Sequence, residues 1–133
     1  MKIFEESTRI MNEDFITYES AKKLKEKGFD WQTFDWYDMA GNFCKGFMPR
    51  ELMCREYYAP TISQVLKWLR EEKLILIGLS PMQEYGGDEV IEWCSTVYKA
   101  DKQGGLSWQE EFYYQSYEQA ALAGIEYVLG NLI

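Results

Sequence analysis

The sequence predicts an α+β fold: about three helices forming a single layer on a mainly antiparallel sheet, in the order α-β-β-α-β-β-β-α. Three observations predict it. Helix-start chemistry recurs at three separated points, Thr17, Thr61 and Ser116, each with a side-chain oxygen able to cap free backbone N–H groups. Apolar stretches of strand length, alternating or continuous, stand between those points. Breakers at Gly28, Pro49, Gly86-Gly87 and Gly104-Gly105 divide the chain at short intervals. With 133 residues, 47% hydrophobic and 17% aromatic, the chain is expected to form one domain over 1–133 with a sizeable core, which excludes whole-chain disorder.

The first helix opens at Thr17, with Glu19 at the positive end of its dipole and Tyr18, Ala21 and Leu24 as a narrow apolar stripe. Gly28 stops it, and Phe29 is placed as the apolar contact that follows a helix C-cap. Gln32 to Tyr37 and Phe43 to Met48 then alternate across an Asp38–Asn42 connection, as a hairpin does. Gly46 weakens the second strand and Pro49 ends it.

Thr61-Ile-Ser-Gln64 is a capping box, and Ile62, Val65, Leu66 and Leu69 follow at helical spacing, so a helix is expected over 61–72. Leu74 to Ile77 reads as a central strand covered on both faces, and Ser80 to Glu89 as a loop. Val90 to Lys99 alternates as a half-buried strand, with Ile91, Trp93 and Val97 on one face and Glu92, Cys94, Thr96 and Tyr98 on the other. Trp108, Glu110, Phe112 and Tyr114 are expected on one side of a further strand. A second capping box at Ser116–Gln119 starts the last helix, which Gly130 is expected to stop. Ala120, Ala121, Ala123 and Gly124 let that helix sit close to a sheet.

Charge and residue usage exclude several functions. There are 14 Lys+Arg, 22 Asp+Glu and no His, for a net charge of -8. Without histidine, no Ser-His, Cys-His or His-metal arrangement exists, and no catalytic residue is assigned. Direct nucleic-acid binding is disfavoured because the cationic footprint for phosphate is absent. The one basic cluster, Lys22 to Lys27, is interleaved with Glu19 and Glu26 and reads as a solvated helix face. The three cysteines, Cys44, Cys54 and Cys94, lack a CxxC pair, which fits reduced thiols in a cytoplasmic protein and no zinc site. Acidic residues near the N-terminus argue against a signal peptide, and the apolar runs are too short to span a bilayer, so no membrane association is expected. Met11 offers a second start, making residues 1–10 an expected loose extension. No phosphate-binding glycine loop occurs, and no cofactor is expected.

Three segments, Phe15–Phe29, Ala59–Glu72 and Tyr114–Ile125, together resemble a group of short uncharacterised proteins of gut Bacteroides-group bacteria, their phages and mobile elements. The likeness runs over roughly residues 11–130 in the same order. Its residues are caps, helix faces and a glycine stop, which specify a fold. The resemblance implies a setting, an accessory protein of a bacterium or its mobile DNA, and no mechanism.

Three functional readings compete. The aromatic excess points to a non-enzymatic interaction module that docks on a protein partner or on itself through exposed Tyr/Trp surface. Tyr37, Tyr57, Tyr58 and Tyr113 are its candidate contacts, because a phenolic hydroxyl tolerates water. The acidic stretch Glu84, Asp88, Glu89 and Glu92 is the alternative, a small-molecule or divalent-cation site, since hard cations take oxygen ligands. It lacks the ordered Asp/Asn alternation of a calcium loop, so no metal is assigned and a solvated loop is the stronger reading. A second alternative is an acidic mimic of nucleic acid.

Overall fold

The computed structural model describes residues 15–46, 57–83 and 90–133. The expected extension over residues 1–10 lies outside them. The chain forms two compact units, residues 1–65 and 66–133. The fold is α+β as the sequence predicts, with three helices and two three-stranded antiparallel sheets among the described residues. The element order matches the expected one apart from one added two-residue strand.

In the first unit, helix α1 (Tyr18–Glu26) starts at Thr17, whose hydroxyl accepts from the Ser20 N–H at 3.2 Å. It ends in a Schellman turn: Gly28 has φ +92°, its N–H donates to the Lys25 carbonyl, and the Phe29 N–H donates to Leu24. Phe29 is buried, as that motif requires. Strands β1 (Trp36–Tyr37) and β2 (Phe43–Cys44) form the predicted hairpin in shortened form, with Trp36 opposite Cys44. Side chains hold its flank instead of ladder bonds. The Thr33 hydroxyl donates to the Asp35 carbonyl at 2.6 Å, and the Asp35 carboxylate accepts from the Gly46 N–H at 2.9 Å. The added strand β3 (Tyr57–Tyr58) pairs on the other side of β1, Tyr37 opposite Tyr57.

Helix α2 (Ile62–Glu72) begins with the predicted capping box made in both directions. The Thr61 N–H donates to Gln64 Oε1 at 2.8 Å, and the Gln64 N–H donates to Thr61 Oγ1 at 3.2 Å. Ile62, Val65, Trp68 and Leu69 are its buried residues. Leu74 follows with φ +55°, a left-handed conformation costly for a branched side chain.

The second unit is a sheet of order β4-β5-β6 under one helix. Strand β4 (Ile75–Gln83) departs from expectation twice. It lies at the sheet edge, not the centre, and it continues through Ser80, Pro81 and Met82, which read as loop. Pro81 removes a backbone donor, which an edge strand tolerates because one side has no neighbour. Strand β5 (Val90–Ala100) is central, and β6 (Leu106–Tyr114) is the other edge. A register shift at Val97/Tyr98 sets Val97 opposite Glu110 but Tyr98 opposite Trp108. Trp108 is therefore on the face opposite Glu110, Phe112 and Tyr114, which corrects the expected common side.

Helix α3 (Tyr117–Asn131) is capped at Ser116, whose hydroxyl accepts from the Gln119 N–H at 3.1 Å. It runs past Gly130. It packs on all three strands through Ala120, Ala121, Gly124, Ile125, Val128 and Leu129, all buried. A Cβ at position 124 would lie 3.1 Å from Ile77 Cγ2 and 3.4 Å from Ser95 Oγ, so this glycine sets the closest approach of helix to sheet. Trp93 meets Tyr117 edge-on at 5.2 Å, and Phe112 meets Tyr127 at 5.6 Å. Each large apolar side chain buried under α3 stabilises by about 1.5–3 kcal/mol.

Candidate functional site

The aromatic residues divide into a packed set and an exposed set. In the first unit, Phe15, Tyr18, Tyr37, Phe43 and Tyr57 form a chain of ring contacts with centroids 4.9 to 5.7 Å apart. Tyr37 is buried, and its hydroxyl donates to the Ile16 carbonyl at 2.6 Å, an interior role. Burial also pushes its pKa above the ordinary phenol value. Tyr57 is half-buried, meeting Tyr18 edge-on, with Lys25 Nζ 5.0 Å from its ring centre. Tyr58, also half-buried, lines a cleft of about 220 Å³ with Ala21, Lys25, Phe29 and Asp30.

Tyr113 differs from these. It is 47% exposed on β6, beside Leu106 at 58% and Trp108 at 55%. Pairing places all three on the sheet face turned away from α3: Ala100 is opposite Leu106, Tyr98 opposite Trp108, and Cys94 opposite Tyr113. On β4 the same face carries Leu76, Gly78, Ser80 and Met82, with Met82 40% exposed. The face is open along β6 and at the outer end of β4. The sequence expects Glu92, Cys94, Thr96 and Tyr98 together on this face of β5. Trp108 and Leu106 were missed, because only the register shift brings Trp108 to it.

The electrostatics of the face are one-sided. Among the described residues, its charged side chains are Glu92 and Glu111, both exposed. Hydrogen bonding to Cys94, then electrostatic interaction with Cys94 and Glu111, holds the Tyr113 pKa above its ordinary value. The Cys94 thiol is free and lies 3.6 Å from the Thr96 hydroxyl.

Of the acidic alternative, Glu84, Asp88 and Glu89 lie outside the described residues, and Glu92 is exposed on β5. Among the described residues, no group of three or more His, Cys, Asp or Glu could hold a metal ion. No described helix is long and apolar enough to cross a membrane. No family model, curated protein or solved structure matches the chain. The functional reading rests on the molecule's own surface chemistry.

Proposed function

We propose that the chain is a non-enzymatic docking module, acting in the cytoplasm as an accessory protein, whose contact surface lies along β6 on the sheet face turned away from α3. The occupant is a protein partner. One observation carries the reading: Leu106, Trp108 and Tyr113 are each about half exposed and share a face, while Trp93 and Phe112 on the other face are packed under α3. Large aromatics held on a rigid strand lose little entropy on binding, and Trp and Tyr dominate the energetics of protein interfaces. Tyr113 is the sequence candidate that this surface retains; Tyr37, Tyr57 and Tyr58 belong to the first unit.

The test compares wild type with Trp108→Ser/Tyr113→Ser in capture from host lysate. The variant is expected to keep its circular dichroism and melting transition and to lose the partner, since truncating central aromatic contacts typically costs about 2 kcal/mol or more of binding. Unfolding of the variant would make these side chains core and remove the site. A wild-type protein that captures nothing the folded variant does not also capture would end the reading.

A further inference from the structure

We infer that the partner of this surface supplies an extended, cationic segment that adds to the free edge of β6 as a fourth strand. The inference rests on the docking reading and specifies its occupant. Among the described residues, the nine-residue strand β6 pairs only with β5, so one row of its backbone groups faces away from the sheet. The other edge is less suited, because Pro81 interrupts the donors of β4.

The middle of β6 carries two adjacent carboxylates. Glu110 is opposite Val97, on the α3 side, and Glu111 is opposite Thr96, on the open side. Among the described residues, neither forms an ion pair. The Glu110 carboxylate instead accepts from the Glu111 N–H at 3.0 Å, so a backbone donor of this edge strand is held by a displaceable side chain.

A second copy is a poor occupant. Antiparallel pairing of two β6 strands about their centres sets like charges opposite one another, and each chain carries a net charge of -8. A strand with two consecutive Lys or Arg residues matches instead. Successive side chains alternate between faces, so one cation meets Glu110 and the next meets Glu111. The cation on the open side also lies near Trp108 and Tyr113, whose ring faces attract Arg and Lys.

The probe is the blocked peptide Thr-Val-Lys-Arg-Val-Thr, titrated onto the full chain at low salt and followed by amide chemical shifts. Binding is expected with the largest shifts along β6, and with affinity about tenfold or more above that of Thr-Val-Glu-Glu-Val-Thr. Glu110→Lys/Glu111→Lys is expected to reverse that preference. If the reversed variant misfolds, Glu110→Gln/Glu111→Gln serves, with the preference expected to vanish. A peptide N-methylated at alternate residues keeps its charges but cannot form the ladder, and it is expected not to bind. Equal binding of the N-methylated peptide, shifts away from β6, or no preference for the cationic peptide each overturns the inference. In the last case the carboxylates only guard the edge. Loss of capture by Trp108→Ser/Tyr113→Ser alongside a silent peptide would leave the docking reading standing and remove the cationic strand alone.

Discussion

Single side chains do unlike work in this protein even where their chemistry is the same. Tyr37 and Tyr113 are both strand tyrosines, yet one hydroxyl serves the interior and the other faces an acidic surface. The Tyr37 bond to Ile16 is short, at 2.6 Å, and enclosed. Tyr37→Phe leaves that carbonyl without its donor, so urea unfolding is expected to show a loss of about 1–2 kcal/mol. Ser95 is the reverse case. Its hydroxyl is fully buried under α3, near Gly124, with no hydrogen-bond partner among the described residues. Ser95→Ala removes a desolvated group while keeping the small volume that the helix needs. Stability is expected to stay level or to rise by up to about 1 kcal/mol. A clear loss on calorimetry would show that the hydroxyl has a partner after all.

At the scale of elements, the ends are defined more sharply than the middles. The Thr61–Gln64 capping box, the Ser116 cap and the Schellman turn formed at the residues where their side-chain and glycine chemistry lies, since each needs only groups within a few positions. The step from α2 to β4 is different, because Leu74 holds a left-handed backbone and its side chain is 40% exposed. Leu74→Gly relieves that conformation at little packing cost, and a stabilisation of about 1 kcal/mol is expected in thermal unfolding. The β1–β2 turn gives a pH signature. The Asp38 carboxylate accepts from the Asn42 and Ala40 N–H groups at 2.9 Å each. These bonds, that to the Asn42 backbone first, hold its pKa below the ordinary aspartate value. A lowered folded-state pKa contributes stability that is full above the ordinary aspartate range and is lost as pH falls through the lower folded value. Asp38→Asn keeps an amide-accepting oxygen without the charge. The wild-type stability curve is expected to fall more steeply than the variant's in that acid window.

For the molecule as a whole, charge is the governing property. A net charge of -8 without histidine leaves little titration between pH 6 and 8. It also directs association towards cationic surfaces, through attraction that salt screens. The acidic stretch around Glu84 to Glu92 makes its own test. As a solvated loop, it is expected to give no rise in melting temperature with Mg²⁺, Ca²⁺ or Mn²⁺. A rise abolished by Glu84→Ala/Asp88→Ala would establish the divalent site instead.

The fold class and helix starts were legible in the chain because capping, glycine stops and apolar periodicity are short-range chemistry. Thr61 to Gln64 forms the same box wherever it stands, and Val90 to Lys99 alternates whatever its neighbours are. The candidate surface was legible only in part. Tyr113 could be named as a water-tolerant aromatic, but so could Tyr37, and no local pattern separates a phenol bonded to a distant carbonyl from one left in solvent. Strand β3, two residues long, carries too little pattern to be seen. The edge position of β4 follows from strand order, and the partnership of Trp108 with Tyr98 follows from one shift in register. Both depend on which segments far apart in sequence come together. Burial is a property of those long-range pairings, so only the folded chain decides which aromatics become core and which become surface.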